Sequence, residues 1–261
     1  MTADISQWAT MFAHCADNKE PATRPTDAWP GVTLDDAYAI QFATIAQRLV
    51  AGESIRAIKL GLTQQAEQDQ WSTPHPTFGT LTDSMLLQPG QPLQLSRGRA
   101  PKVEAEIVVV TSRDIEHQLN AVDELVPLIA SVHAGIEILD SRYHHGDFHP
   151  ANAVADNQSA LSGVWLGEGL APGNMDIVNE SATLLIDGVE KGSGVASRLL
   201  GNPLVAVLGA VNEMIRLGRP VPAGLAIFSG NLCHTAVAVA EGDVVTVDFS
   251  TLGSVTLEVI A

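Results

Sequence analysis

The sequence predicts an α+β fold, a single domain over residues 1–261 whose helical N-terminal portion, residues 1–55, precedes a largely β remainder. Apolar residues recur at helical spacing from Ile5 to about Ala51, and short β-rich segments separated by turn residues fill the C-terminal third. No internal repeat, low-complexity tract or linker divides the chain. Hydrophobic residues at 46% and charged residues at 17% are typical of a folded globular protein. Together these observations favour one α+β domain.

Two helices are expected in the N-terminal portion. The segment Thr33-Leu34-Asp35-Asp36 has the pattern of a capping box and stands directly before the apolar segment AYAIQFATIAQRLV, so a helix should begin there. The chain between Trp71 and Pro101 is rich in proline and glycine. It therefore predicts turns and short strands that line a surface.

The middle of the chain predicts a strand, a helix and a second strand. KVEAEIVVV, residues 102–110, alternates at first and is then continuously apolar, which indicates a strand that is half-buried at one end and fully buried at the other. A helix is expected over about residues 122–134 if it begins near Asn120. GIEIL, residues 135–139, follows as an apolar strand.

The C-terminal part predicts one well-delimited helix and a series of strands. Asn202 before Pro203 gives an N-cap and first helical residue, and Gly218 gives a stop, so a helix should cover residues 203–217. AIFSG, TAVAVA, DVVTVDF and SVTLEVI are β-rich segments divided by short turns. They predict a meander of hairpins.

Charge and cysteine content exclude several classes of protein. The net charge of −16 argues against a nucleic-acid partner, since phosphate binding needs a basic face. With this net charge, any anion-binding site needs a cation or a positioned Lys or Arg to make its local electrostatic potential positive. Cys15 and Cys233 are too few for a disulfide framework, and no apolar stretch reaches the length of a membrane span. With no basic segment at the N-terminus, we expect a cytoplasmic protein without a membrane partner.

Two glutamates on one predicted strand indicate a metal site. Glu104 and Glu106 leave the same face of the strand, about 7 Å apart at their Cα atoms. Like charges on an apolar strand repel unless a cation such as Mg²⁺ or Mn²⁺ neutralises them. Glu137, in GIEIL, could supply a third carboxylate. The alternative is that the pair lies on a solvent edge and that Glu137 pairs with a base such as Arg142.

Lys59 and a histidine cluster are further candidates. Lys59 is a cation between apolar neighbours, which either extends to the surface or holds a substrate carboxylate or proton beside the metal. The segment His144-His145-Gly146-Asp147-Phe148-His149 resembles a zinc site, but its glycine and Pro150 indicate a loop that disfavours tetrahedral binding. Gly192-Ser193-Gly194 lacks the third glycine of a dinucleotide fingerprint, and G-x-S-x-G is absent from the sequence, which argues against a serine hydrolase.

The order of several segments resembles the hydratase/decarboxylase branch of the fumarylacetoacetate hydrolase superfamily. The tail, GSGVASRLLGNPLVAVLGAVN followed by AGLAIFSGNL and LGSVTLEV, agrees with this branch. The match runs over nearly the whole chain. The other segments that carry it are KLGLT at 59–63, FGTLTDSM at 78–85, KVEAEI at 102–107, IEILDSRY at 136–143 and VADNQSA at 154–160.

The resemblance implies a fumarylacetoacetate-hydrolase-like mixed β fold and a metal-dependent lyase. The implied site has Mg²⁺ or Mn²⁺ on Glu104, Glu106 and Glu137, with Lys59 catalytic. Two further roles are implied, Asp83 as a proton-transfer group and Ser159 as a substrate-binding group. The substrates of this branch are small 2-oxo acids from the meta-cleavage degradation of aromatic compounds. The implied partners are further copies of the chain in a homo-oligomer and an associated hydratase or decarboxylase.

Within this branch we favour decarboxylation of 2-oxohex-3-enedioate (4-oxalocrotonate) to 2-hydroxypenta-2,4-dienoate, because LTDSM and DSRY are close to the decarboxylase subgroup. The alternatives are a 2-oxopent-4-enoate hydratase and, from another class, an acylpyruvate-type C–C hydrolase or a catalytically idle partner subunit. Gln64 stands where the family usually has Ser, and GNLCHTAVAV departs from the usual segment, so Cys233 and His234 are expected to alter the pocket.

Overall fold

The computed structural model describes residues 4–143, 148–165, 167 and 169–261. The helices of this part of the chain are α1 (Ile5–Asn18), α2 (Pro25–Ala28), α3 (Leu34–Val50), α4 (Gln65–Trp71), α5 (Val122–Leu125), α6 (Pro150–Ala155) and α7 (Pro203–Arg216). The strands are β1 (Ile55–Gly61), β2 (Thr77–Thr82), β3 (Leu93–Gln94), β4 (Lys102–Thr111), β5 (Ile129–Leu139), β6 (Ala160–Trp165), β7 (Ser181–Ile186), β8 (Val189–Val195), β9 (Ala226–Phe228), β10 (Val237–Ala238), β11 (Val244–Phe249) and β12 (Gly253–Ile260).

The two predicted N-terminal helices are present, and the second begins where the local sequence predicts. Thr33 Oγ1 accepts a hydrogen bond of 3.1 Å from Asp36 N, and Asp36 Oδ2 accepts one of 2.9 Å from Thr33 N. This reciprocal pair is the predicted capping box, and α3 starts directly after it. The short α2 between α1 and α3 was not expected; it begins at Pro25, whose ring suits a first helical turn.

The larger sheet holds strands that are far apart in the sequence. Its order is β2-β1-β9-β4-β5-β6, with β10 pairing beside β4. The β1–β9 pair is parallel and the other pairs along this path are antiparallel. Helix α7 packs against β1 and β2, and α3 also contacts β2. The sheet is therefore covered by helices at the β2 end.

A second sheet, of order β3-β12-β11-β7-β8, covers another part of the larger one. Strands β11 and β12 contact β5, and β7 contacts β4. Side chains from both sheets and from α3 and α7 join one buried apolar cluster. The mixed α+β architecture predicted from the sequence is confirmed.

The helix expected over residues 122–134 is wrong. Helix α5 ends at Leu125, and after a short 3₁₀ turn β5 runs from Ile129. Pro127 lacks the N–H that an α-helix would use, and residues from Ile129 onwards pair along the length of β4. Pairing with a distant strand therefore decides this segment.

The surface role expected for the strands between Trp71 and Pro101 is also wrong for β2. Every residue of β2 is buried, since α3 and α7 cover it. The predicted meander is confirmed only for β11 and β12, which form a hairpin. Strand β9 instead enters between β1 and β4, and β10 pairs with β4.

Helix α7 confirms its predicted limits. The side chain of Asn202 accepts a hydrogen bond of 2.9 Å from Leu204 N, and Pro203 is the first helical residue. Gly218 follows the helix with φ of +70°, a conformation that glycine adopts at low cost. Among the described residues, no helix combines the length and apolarity needed to cross a membrane.

Candidate active site

Strands β4 and β5 bring the three glutamates together. Glu104 stands directly opposite Glu137 in the antiparallel ladder, and Glu106 lies two residues along β4, opposite Gly135. The two-residue spacing puts Glu104 and Glu106 on one face of the strand. One carboxylate oxygen from each of the three glutamates lies within 4.8 Å of the others. The cluster expected from the sequence is thus present, and it draws on two strands.

Lys59 reaches the same cluster from β1. Its Nζ lies 2.9 Å from Glu137 Oε1 and donates a hydrogen bond of 3.1 Å to the carbonyl oxygen of Gln158. Strand β9 separates β1 from β4 but ends at Phe228, which pairs with Lys59 on one side and with Val108 on the other. Beyond Phe228 the chain stays beside β4, where Ser229 N donates to Ile107 O and Leu232 N donates to Ala105 O.

The cluster is buried and short of hydrogen-bond donors. Glu106 and Glu137 are fully buried, and Glu104 is partly exposed. Glu106 Oε2 accepts a hydrogen bond of 2.8 Å from Gly230 N. Glu106 Oε1 and Glu137 Oε2 accept none from the described residues. Buried carboxylate oxygens without donors are costly, so these atoms favour a bound cation.

The electrostatics of the cluster agree with this deficit of positive charge. Burial and the neighbouring Glu137 raise the pKa of Glu104 to about 7. Burial, Glu137 and Glu104 raise the pKa of Glu106 well above its usual value. Burial lowers the pKa of Lys59, but the carboxylates, Glu137 foremost, outweigh it and raise that pKa above its usual range. One ammonium group cannot neutralise three carboxylates, and a divalent cation would complete the balance.

A left-handed turn holds the partner of Lys59. Asn157, Gln158 and Ser159 have φ of +51°, +54° and +56°, a conformation that costs roughly 1–2 kcal/mol for each residue other than glycine. Two glycines make room for this turn. A Cβ on Gly61 would come within 2.6 Å of Gln158 Oε1, and a Cβ on Gly79 would overlap the carbonyl oxygen of Asn157. Such strain is typical of functional sites.

The turn is also fastened to β2. Asn157 Oδ1 accepts a hydrogen bond of 2.7 Å from Thr80 N, and Asn157 Nδ2 donates one of 2.8 Å to Thr80 O. Gln158 Nε2 donates a hydrogen bond of 2.6 Å to Thr77 Oγ1. These bonds fix the carbonyl group that accepts from Lys59.

A cleft of about 810 Å³ opens beside the cluster and gives a small molecule access to Glu104 and Lys59. Trp71 and Phe148 stand edge to face in its wall, with ring centroids 5.9 Å apart. The wall combines apolar, amide and charged groups, as expected of a site for a polar metabolite. It is formed by residues 59–64, Glu67, Gln70, Trp71, Glu104, Leu139, Phe148, Ala153, Gln158, Ser159, Asn231 and residues 233–236.

The predicted site residues are not all in this region. Asp83 is exposed; its N donates to Ser54 O, and its Oδ1 accepts from the N–H groups of Ser54 and Ser84. Ser54 precedes Lys59 by five residues, about 16 Å along an extended strand. The antiparallel β1–β2 pair thus puts residue 83 beside the start of β1, and Asp83 is not among the residues that line the cleft. Its role in proton transfer stays a prediction.

Ser159, by contrast, lines the cleft, with its Oγ 3.4 Å from Asp156 Oδ2. Its role in substrate binding stays a prediction. Gln64, Cys233 and His234, the departures from the family pattern, all line the same cleft.

Two alternative interpretations can be compared with the structure. The ion pair expected between Glu137 and Arg142 is wrong, since Arg142 pairs with Asp156 and Glu137 with Lys59. For the zinc interpretation, residues 144–147 lie outside the described residues. His149 caps α6 through its Nδ1, which accepts from Ala151 N at 3.2 Å.

Sequence reasoning missed three residues of the site. Gln158 offers its carbonyl oxygen to Lys59, the N–H of Gly230 donates to Glu106, and Asn231 lines the cleft. The contacts of Gln158 and Gly230 involve backbone atoms, and Asn231 lies in a loop. Residue type therefore gives no signal for any of the three. The segment VADNQSA carries part of the family resemblance, but its residue types do not indicate three consecutive left-handed residues.

Comparison with known proteins identifies a family for this chain. The family model for the fumarylacetoacetate (FAA) hydrolase C-terminal domain matches residues 49–260. The chain belongs to this family. The match begins near the end of α3, so it takes in the sheets, the glutamate cluster and Lys59.

Several relatives match almost the full length of this family member. The 2-keto-4-pentenoate hydratase of Paraburkholderia phymatum is 36% identical over 251 residues, which cover 96% of this chain and 95% of the relative. The 4-oxalocrotonate decarboxylase of Pseudomonas putida is 33% identical over 232 residues, covering 88% of this chain and 87% of the relative.

A solved structure is similar over both the helical portion and the sheets. The 4-oxalocrotonate decarboxylase from Pseudomonas putida G7, complexed with magnesium and adipate, is 29% identical and has a TM-score of 0.93. The alignment covers 98% of this chain and 97% of that one. These relatives are hydratases and decarboxylases, which are both lyases. They confirm the predicted family.

Proposed function

We propose that this protein decarboxylates 2-oxohex-3-enedioate to 2-hydroxypenta-2,4-dienoate with the help of a bound divalent cation. The observation that carries the proposal is the cluster of Glu104, Glu106 and Glu137, some of whose buried oxygens lack a hydrogen-bond donor. Glu104 and Lys59 line the cleft beside this cluster. A site of this kind can bind the C1 carboxylate and the 2-oxo group of a small acid despite the net charge of −16.

The cluster fits Mg²⁺ or Mn²⁺, since hard cations prefer carboxylate oxygens and retain positions for water or substrate. Glu104, Glu106 and Glu137 would hold the ion, and the N–H of Gly230 would orient the Glu106 carboxylate. The solved decarboxylase carries magnesium in one structure and calcium in another, which supports a divalent ion here. When bound, the ion supplies the positive charge that stabilises the negative charge developing on the 2-oxo group.

Lys59 would donate a proton to the oxygen of the 2-oxo group. Its Nζ forms an ion pair with Glu137 and donates a hydrogen bond to the carbonyl oxygen of Gln158, and an ammonium group has three hydrogens, so one can be directed to the ligand in the cleft. As the bond between C5 and the distal carboxylate breaks, its electron pair moves through the conjugated chain to the C2 oxygen. Lys59 can then donate the proton that completes the 2-hydroxy group of the product.

The walls of the cleft support the same reaction. Trp71 and Phe148 give it an apolar side, against which the unsaturated carbon chain of the substrate can lie. Ser159, the last residue of the strained turn, is proposed to bind the substrate through its hydroxyl group. Excluding water at this wall would favour loss of CO₂ over addition of water.

The choice of decarboxylase rests on the similarity to the solved decarboxylase and on the segments LTDSM and DSRY. A 2-oxopent-4-enoate hydratase is the second candidate, because the hydratase of Paraburkholderia phymatum is 36% identical to this chain. Both reactions use a 2-oxo acid and an enolate, so the glutamate cluster and Lys59 would serve either. The difference lies at the far end of the substrate.

Product analysis tests the proposal. Purified protein with Mg²⁺ should release one CO₂ for each 2-oxohex-3-enedioate consumed, and EDTA should abolish the release. If the protein instead consumes 2-hydroxypenta-2,4-dienoate and releases no CO₂ from the diacid, the hydratase is correct. Inactivity with both compounds would contradict both lyase assignments and leave the C–C hydrolase or the idle subunit. The same preparation, measured by light scattering, would test the proposed homo-oligomer.

A further inference from the structure

Arg198 and His234 form a pair at the wall of the cleft. His234 is exposed and lines the same cavity as Lys59 and Glu104. Nη1 of Arg198 lies 2.6 Å from Nδ1 of His234 and 3.3 Å from Nε2. A guanidinium group can only donate, so the nearer ring nitrogen acts as the acceptor and the other carries the hydrogen. The pair therefore presents a donor and one positive charge.

The positive charge of Arg198 is not matched within the described part of the chain. No described carboxylate lies within ion-pairing distance of Arg198, and its buried Nε has no hydrogen-bond partner among the described residues. Two other arginines differ: the buried Arg142 pairs with Asp156, and the exposed Arg216 pairs with Asp35 and Glu213. An unmatched guanidinium in a protein of charge −16 is suited to a bound anion.

The pair and the glutamate cluster border one cleft, since His234 and Glu104 both line it. Burial raises the pKa of the Cys233 thiol, Glu104 raises it further, and Arg198 opposes the increase. Cys233 also lines the cleft, between Asn231 and His234 in the chain. The cleft thus has Glu104 and Lys59 in its wall and also His234, whose ring contacts the unmatched Arg198.

We propose that the Arg198–His234 pair binds the second carboxylate of a dicarboxylic 2-oxo acid whose first carboxylate lies at the glutamate cluster. The proposal rests on the proposed function for the position of the 2-oxo end. His234 would contact the ligand through its N–H, while Arg198 positions the ring and supplies the charge. The pair would distinguish a diacid from a monoacid, which is the difference between the decarboxylase and hydratase substrates.

The pair would select the substrate without accelerating the reaction. In a decarboxylation the distal carboxylate leaves as neutral CO₂, so its charge falls as the transition state forms. A cation at this end stabilises the bound substrate more than the transition state. Loss of the pair should therefore raise KM for the diacid about tenfold and raise kcat rather than lower it, so that kcat/KM changes less than KM.

Binding of two non-reacting analogues tests the pair. 2-Oxohexanedioate and 2-oxohexanoate share the 2-oxo acid end and differ only in the second carboxylate. In calorimetric titrations of the Mg²⁺-loaded protein, the diacid should bind about tenfold more tightly than the monoacid. Arg198→Gln should remove this preference and leave the affinity for the monoacid within about twofold, Arg198→Lys should restore part of it, and the exposed control Arg113→Gln should keep it.

Three results would overturn the inference: no diacid preference in the wild-type protein, a preference that survives Arg198→Gln, or an equal loss of affinity for both acids in Arg198→Gln. The decarboxylase proposal is tested separately by CO₂ release. A diacid preference that depends on Arg198, in a protein that releases no CO₂ from 2-oxohex-3-enedioate, would support the pair and contradict the proposed reaction.

Discussion

Nζ of Lys59 lies 2.9 Å from Oε1 of Glu137, and the two side chains are 6% and 0% exposed. This buried ion pair links β1 to β5 across the sheet order β1-β9-β4-β5. Two more carboxylates, of Glu104 and Glu106, lie at the same place. Lys59 is therefore both a counter-charge for the glutamates and a candidate proton donor in the wall of the cleft.

Replacing Lys59 should stop turnover. We expect Lys59→Gln to lower kcat by about 10²–10⁴-fold, since it removes a positioned proton donor. The metal-free variant should also melt at a lower temperature, because the buried carboxylates lose their counter-charge. Steady-state kinetics and thermal unfolding check both effects, with the exposed Lys191→Gln as the control. Turnover within a few-fold of the wild type would contradict the role of Lys59.

Removing one carboxylate should weaken metal binding. Glu106→Gln keeps the size of the side chain and an oxygen that can accept from Gly230 N, but it loses the charge. We expect Mg²⁺ affinity to fall at least tenfold, with a comparable loss of turnover and an unchanged fold. Calorimetric titration with Mg²⁺ measures the affinity, and the exposed Glu116→Gln is the matched control. Unchanged affinity would remove Glu106 from the site.

The metal-free protein should become less stable as pH rises from about 5 to 8. The pKa of Glu104 is raised to about 7 and that of Glu106 is raised well above its usual value, so the native state binds more protons than the unfolded state in this range. The unfolding free energy then falls with increasing pH. Melting temperatures in EDTA should show this decline relative to a Glu104→Gln, Glu106→Gln double variant. Parallel profiles for the two proteins would contradict the prediction.

Filling the space under the left-handed turn should disturb both stability and activity. A Cβ at Gly79 would overlap the carbonyl oxygen of Asn157, so Gly79→Ala must displace the turn that holds Gln158 against Lys59. We expect a loss of about 1–3 kcal/mol in the unfolding free energy, together with reduced kcat. Gly173→Ala is the control, because a Cβ at Gly173 meets no atom within 4 Å. Equal behaviour of the two variants would show that the turn is not held in this way.

Much of the helical structure was predictable because its signals are local. Thr33 with Asp36, and Asn202 with Pro203, mark helix starts within a few residues, and the structure contains the corresponding hydrogen bonds. The segment at 122–134 failed for the opposite reason. Its strand pairs with β4, a partner about twenty residues earlier in the chain, and this pairing outweighs the local preference.

The candidate site also combines features that the sequence predicts with features that only the tertiary structure sets. The sequence by itself determined that Glu104 and Glu106 share one face of a strand, because side-chain direction alternates with every residue. Only the tertiary structure decided that Glu137 lies opposite Glu104, that Lys59 pairs with Glu137, and that Asp83 lies beside Ser54. Strand register and the end of β9 set these positions, and both depend on hydrogen bonds between segments that are distant in the chain.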